Sequence, residues 1–147
     1  MRHLTILFTV WILSSCGTAP VINNDSGSSG AKQMSAAELQ EAEPFIQFLL
    51  DSAATDFHKH GPKPVRFRDV YFGYASTGEK LYRICGQFQT SDNEDWVAFA
   101  TVKTSGYEQW IGGQSGGFSQ DPVAVWDKAH DLSAKLMSQL DSLRAVK

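Results

Sequence analysis

Four side chains of this 147-residue sequence carry the means for thiol chemistry: Cys85, with His58, His60 or His130 as a base brought to it by the fold. A thiolate is the nucleophile in such pairs, and a neighbouring imidazole activates it. Cys85 also sits inside Arg83-Ile84-Cys85-Gly86-Gln87, where a small, inert, buried residue packs well. His58-Lys59-His60 would present both imidazoles on one side of an extended segment, as zinc or copper sites require. No third ligand adjoins them in sequence, and a basic helix terminus favouring its own dipole accounts for the same residues. The sequence therefore calls for no metal and no cofactor.

Gly112 to Gly117 invites comparison with phosphate-cradling loops, yet lacks the Gly-Lys-Ser/Thr ending of a P-loop. Gly113-x-Ser115-x-Gly117 has the letters of a nucleophile elbow without its strand-to-helix context. The carboxylates Asp69, Glu79, Asp92, Glu94, Asp95 and Glu108 fall in turns or at strand ends, with no spacing that compels acid–base work. Aromatics are more numerous than one sheet face needs, among them Tyr71, Tyr107 and Trp110, which are the candidate partner-binding residues.

Met1-Arg2-His3 followed by the apolar run Leu4 to Leu13 has the charge and length of a secretory signal. It is too short to remain as a span, which takes ~20 apolar residues. Leu13-Ser14-Ser15-Cys16 then resembles the lipobox of bacterial lipoproteins. The resemblance implies that residues 1–15 are a signal peptide, that Cys16 receives a diacylglycerol and further acyl chains such as palmitate, and that the mature chain begins there. Each buried methylene adds about 0.8 kcal/mol, so several chains on one cysteine hold a protein firmly to a membrane. Gly17 rather than Asp after the cysteine implies, by analogy with proteobacterial lipoproteins, an outer membrane inner leaflet location facing the periplasm.

Residues 16–34 comprise the lipidated cysteine and a Gly-, Ser- and Asn-rich flexible tether, leaving 35–147 as one globular α+β domain. Ser35-Ala36-Ala37-Glu38 has capping-box spacing, and Ile46, Leu49, Leu50, Ala53 and Phe57 recur at helical period behind it, with Pro44 expected to interrupt or restart the helix. Strands are expected at 65–75, 80–90, 96–103 and 107–111, joined by short polar turns into a four-stranded antiparallel meander. A bulge near Arg68-Asp69 reconciles the two parities of the first strand. Asp121-Pro122 reads as the start of a C-terminal helix running to about Val146, and both helices are expected on one sheet face.

The net charge of −3 becomes −4 once Arg2 leaves with the signal, which argues against nucleic acid as a partner. His58-Lys59-His60, Lys63, Arg66 and Arg68 are a short basic run read as a solvated rim. Cys85 is the lone thiol left after lipidation, so an internal disulfide is not expected. The functional expectation is a membrane-anchored, non-catalytic interaction domain binding an envelope protein or cell-wall component through an aromatic sheet face. The alternatives are a small envelope hydrolase or thiol enzyme using Cys85, and a structural subunit of an envelope assembly.

Overall fold

The computed structural model describes residues 32–146. The signal segment, Cys16 and the tether as far as residue 31 lie outside the described residues.

Ser35 caps the first helix, α1 (Ala36–Lys59). Its Oγ accepts the Glu38 N–H at 3.3 Å, while Glu38 Oε2 accepts the Ser35 N–H at 2.9 Å. Two amide donors that the helix itself cannot satisfy are thereby paired. α1 runs through Pro44 without the expected break. Proline there frees the carbonyl of Gln40, but both residues face solvent, and water can take the lost bond. Downstream, Leu49, Leu50, Ala53, Ala54 and Phe57 are completely buried, and that packing holds the helix together past the proline.

The chain is α+β, with a six-stranded sheet in place of the four strands expected. The strands are β1 (Lys32–Gln33), β2 (Pro64–Ala75), β3 (Leu81–Thr90), β4 (Asn93–Lys103), β5 (Tyr107–Ile111) and β6 (Ala124–Asp127). Their order across the sheet is β1-β6-β2-β3-β4-β5, antiparallel except for the β1–β6 pair. Lys32 and Gln33 therefore belong to the sheet, and Met34 is buried with its N–H on Trp126 O at 2.9 Å.

The helix expected from Asp121 does not form. Asp121 Oδ1 instead caps a turn on the Val123 N–H, and Ala124–Asp127 becomes a strand paired with Phe72–Ala75. A short apolar run such as Val123-Ala124-Val125-Trp126 suits a helix or a strand buried on both faces, and the open edge of β2 supplies backbone partners only to the strand. The last helix, α3 (Ser133–Ala145), begins twelve residues after Asp121, with Asp131 Oδ1 accepting the Ser133 N–H at 2.8 Å. Between β5 and β6 lie the 3₁₀ turn Gly112–Ser115 and α2, a single turn at Gly116–Ser119, where a plain glycine loop was expected.

Both long helices pack on one face of the sheet. Their core includes Ile46, Leu50, Leu136 and Leu140 against Phe67, Val70, Phe72, Ile84, Phe88 and Phe99. Phe57 meets Phe67, Phe88 and Phe99 edge-on, with centroids 5.4, 5.1 and 5.4 Å apart. Such pairs add about 0.5–1.5 kcal/mol each to the burial itself. A bulge falls where the alternation of β2 fails: pairing passes from Arg68↔Gln87 to Tyr71↔Cys85, and Asp69 adopts φ 53°.

Candidate functional site

The register aligns Tyr71, Cys85, Ala100 and Trp110 in one row across β2, β3, β4 and β5. Side chains alternate along a strand, so this row and the positions two residues away define the sheet face opposite the helices. Cys85 and Ala100 in the middle of the row are buried in one cluster with Trp126, and Tyr71, Trp110 and Phe118 pack against it.

Topology covers part of that row. β5 ends at one edge of the sheet and β6 begins beyond β2, so residues 112–123 must cross the second face. Phe118 rests against Trp110 with ring centroids 5.6 Å apart, and Ser115 Oγ closes the first turn of the crossing on Gly112 O at 2.7 Å. Arg83 rises from β3 to hold the far end, its Nη2 2.7 Å from Asp121 Oδ2. The Arg83 side chain is only 2% exposed, and its guanidinium carbon stands 5.5 Å from the Trp126 ring centroid. Trp126 in turn lies over Gly73, where a Cβ would come within 2.5 Å of its ring.

The open aromatic face expected from sequence is therefore corrected: a strap covers its upper half. Tyr71 is half-buried under Lys128, whose Nζ is 4.1 Å from its centroid, and Trp110 is half-buried against Phe118. Tyr107 lies on the opposite face, its hydroxyl donating to Asp56 Oδ1 of α1 at 3.4 Å. The three candidate binding residues do not form one patch, because Tyr107 and Trp110 are an odd number of residues apart on one strand.

At the edge of the strap a cleft of about 280 Å³ is lined by Asp69, Cys85, Gln87, Ser119, Gln120 and Lys128 among others. Burial pushes the Cys85 thiol up to about 12, although Arg83 and Lys128 pull the other way. Burial likewise lowers the Lys128 ammonium. None of the candidate histidines lines this cleft. His58 sits in the last turn of α1, and His60 is its C-cap with its N–H on Asp56 O at 2.8 Å, so the pair is not in an extended segment. His130 stands 2.9 Å from Asp127 Oδ2 in the loop before α3, two-thirds exposed. Among the described residues no three His, Cys, Asp or Glu side chains gather as a metal site. The fold thus keeps His58, His60 and His130 out of the lining of the Cys85 cleft, where burial favours the protonated thiol, and places Ser115 as a turn residue.

Below the strap the second face is uncovered, and two residues of the basic run read as a solvated rim stand there with neighbours that the sequence did not join to them. Arg66 and Arg68 share this face of β2, Gln87 and Gln89 lie on β3, and Trp96 and Ala98 on β4. Arg66 Nε donates to Gln89 Oε1 at 3.0 Å and Arg68 Nε to Gln87 Oε1 at 2.7 Å. The Arg68 guanidinium carbon is 4.2 Å from the Trp96 centroid and that of Arg66 is 5.7 Å away. Each guanidinium is thereby oriented by a glutamine, Arg66 through Nη2 as well as Nε. Parity along 64–68, together with the bulge expected after Arg68, was the available signal. Compared with known proteins, the chain matches no family model, no curated protein and no solved structure.

Proposed function

We propose that this protein is a bacterial lipoprotein anchored through Cys16, whose α+β domain is a non-catalytic interaction module facing the periplasm. Its partner is an envelope protein or a cell-wall component. The lipobox-like Leu13-Ser14-Ser15-Cys16 supports the anchor. The observation that carries the binding role is the uncovered lower half of the second sheet face, where Arg66, Arg68 and Trp96 stand next to the cleft at the edge of the strap. Arg66 and Arg68 are exposed and Trp96 half-buried beneath them, and arginine and tryptophan are the residue types that concentrate binding energy at interfaces. The thiol-enzyme alternative is weakened by the burial that raises the Cys85 thiol and by the absence of His58, His60 and His130 from the lining of its cleft. The finer topology we propose is the consecutive antiparallel run β2 to β5 as the meander on which this face is built.

Two measurements test the proposal in cells. Alkyne-palmitate labelling is expected on the wild-type chain and absent from Cys16→Ser, which should leave the membrane fraction. A photo-crosslinking residue at Gln87 or Trp96 is expected to trap a discrete partner, and one at Gln47 or Ser138 on the helices is not. Adducts of equal yield from both faces, or from neither, would refute the binding role.

A further inference from the structure

We infer that the uncovered half of the second face is a docking groove for an extended acidic peptide segment, gripped by Arg66 and Arg68 and led into the Cys85 cleft. This rests on the interaction-module reading and names the chemistry of its partner. Three observations converge on it.

The first is charge. A chain of net charge −3 gathers Arg66, Arg68 and Lys128 on one face, and Asp69 is the single carboxylate lining the cleft. Asp69 is itself engaged, 3.6 Å from Arg68 Nε. An anionic partner meets a local potential opposite to the chain's overall sign.

The second is spacing. Arg66 and Arg68 are two residues apart on one strand, so their Cα atoms repeat at roughly 6.5–7 Å along it. An extended peptide presents alternate side chains to one side with the same repeat, so two carboxylates at i and i+2 reach two guanidiniums without distortion. The glutamine acceptors on Gln87 and Gln89 fix both guanidiniums before any ligand arrives, which removes an ordering cost from binding.

The third is shape. The row Arg68↔Gln87↔Ala98 forms the border of the cleft, since Gln87 and Ala98 also line it. A chain lying across the arginines therefore continues into a space of about 280 Å³ whose rim offers the amides of Gln87 and Gln120, the hydroxyl of Ser119 and the ammonium of Lys128. Amides and a hydroxyl beside a cation suit a peptide backbone and a further acidic side chain. A membrane surface would meet the arginines, whereas a single extended chain also reaches the cleft that Ser119 and Gln120 of the strap wall on one side.

The test uses the full-length chain in detergent micelles and fluorescein-labelled octaglutamate, with octaglutamine as the neutral comparison and vesicles containing phosphatidylglycerol as the membrane comparison. Octaglutamate is expected to bind with an affinity that falls as salt rises from ~50 mM to ~0.5 M. Octaglutamine should bind at least about tenfold more weakly, and Arg66→Gln with Arg68→Gln should weaken octaglutamate by a similar factor. Lys128→Gln, which leaves the arginine layer intact, should give a smaller loss and serves if the double variant does not fold. Failure of octaglutamate to bind, or equal binding to the double and Lys128→Gln variants, overturns the inference. Arginine-dependent capture by vesicles without binding of octaglutamate overturns it in favour of a lipid surface. If photo-crosslinks at Gln87 persist while octaglutamate fails, the groove chemistry is wrong and the interaction module stands.

Discussion

Arg83 and Asp121 join the strap to the sheet, and the two ends of this ion pair should respond very differently to neutralisation. Asp121→Asn keeps the side-chain shape and the Oδ1 acceptor for the Val123 N–H, but leaves a guanidinium that is 2% exposed without its counter-charge. At an effective dielectric of about 20, opposite charges 4 Å apart attract by about 4 kcal/mol, and stranding one buried partner costs ~3–5 kcal/mol. Asp121 is itself 18% exposed and partly screened, so the lower end applies, about 3 kcal/mol. For a domain of this size that is a fall in Tm of roughly 10 °C. Arg83→Met strands instead a carboxylate that water reaches, and also removes a buried Nε that has no partner. Its cost should be about 1 kcal/mol, since an apolar residue of similar volume can replace a buried charge nearly neutrally. The double variant should be no less stable than Arg83→Met alone. Thermal and urea unfolding of the three variants measure this, and equal costs for the two single substitutions would refute the reasoning. Acid adds a second reading. The Arg83 hydrogen bond, opposed by burial, holds the Asp121 pKa below its ordinary value. A lowered folded pKa means stability present above the unfolded value, about 3.9, and lost as pH falls through the folded one. The gap between wild type and Asp121→Asn should therefore be full at neutral pH and close below about pH 4.

Gly73→Ala should destabilise by about 2–3 kcal/mol, because the new Cβ would stand 2.5 Å from the Trp126 ring and 2.8 Å from the Val125 carbonyl. Gly106→Ala, with nothing within 4 Å, should leave Tm within about 2 °C, and calorimetry on both distinguishes a steric from a general glycine effect. Cys85, with its thiol near 12, should react with a disulfide reagent at pH 8 only as fast as the strap opens, and prompt labelling of the native chain would contradict its burial. Tyr74 donates to Glu38 Oε1 at 2.6 Å and is the main reason that carboxyl titrates at about 2, with the Ser35 contacts adding to it. Tyr74→Phe should lift Glu38 toward about 4 in a carboxyl NMR titration, and a value still near 2 would assign the shift to Ser35.

The sequence by itself determined what depends on neighbours along the chain. The Ser35–Glu38 box, the amphipathic stripe of α1, the four strands from β2 to β5 and the bulge at Arg68-Asp69 are all local patterns, and each has its structural counterpart. The signal-like leader and Cys16 are local patterns too, and they lie outside the described residues. What only tertiary structure decided depends on partners distant in sequence. Val123 to Trp126 has no local reason to prefer strand over helix, and the unpaired edge of β2, some fifty residues earlier, settled it. Once that strand lies beyond β2, residues 112–123 are forced across the second face, which turns an open aromatic sheet into a strapped one and sends Tyr107 and Trp110 to opposite sides. The thiol and the histidines, plausible partners by type, are separated for the same reason: side-chain type is a property of the sequence, whereas which side chains meet is set by register. Register also brings Arg66, Arg68, Gln87, Gln89 and Trp96 together from three strands. No segment of the chain contains that surface, so no reading of segments could have assembled it.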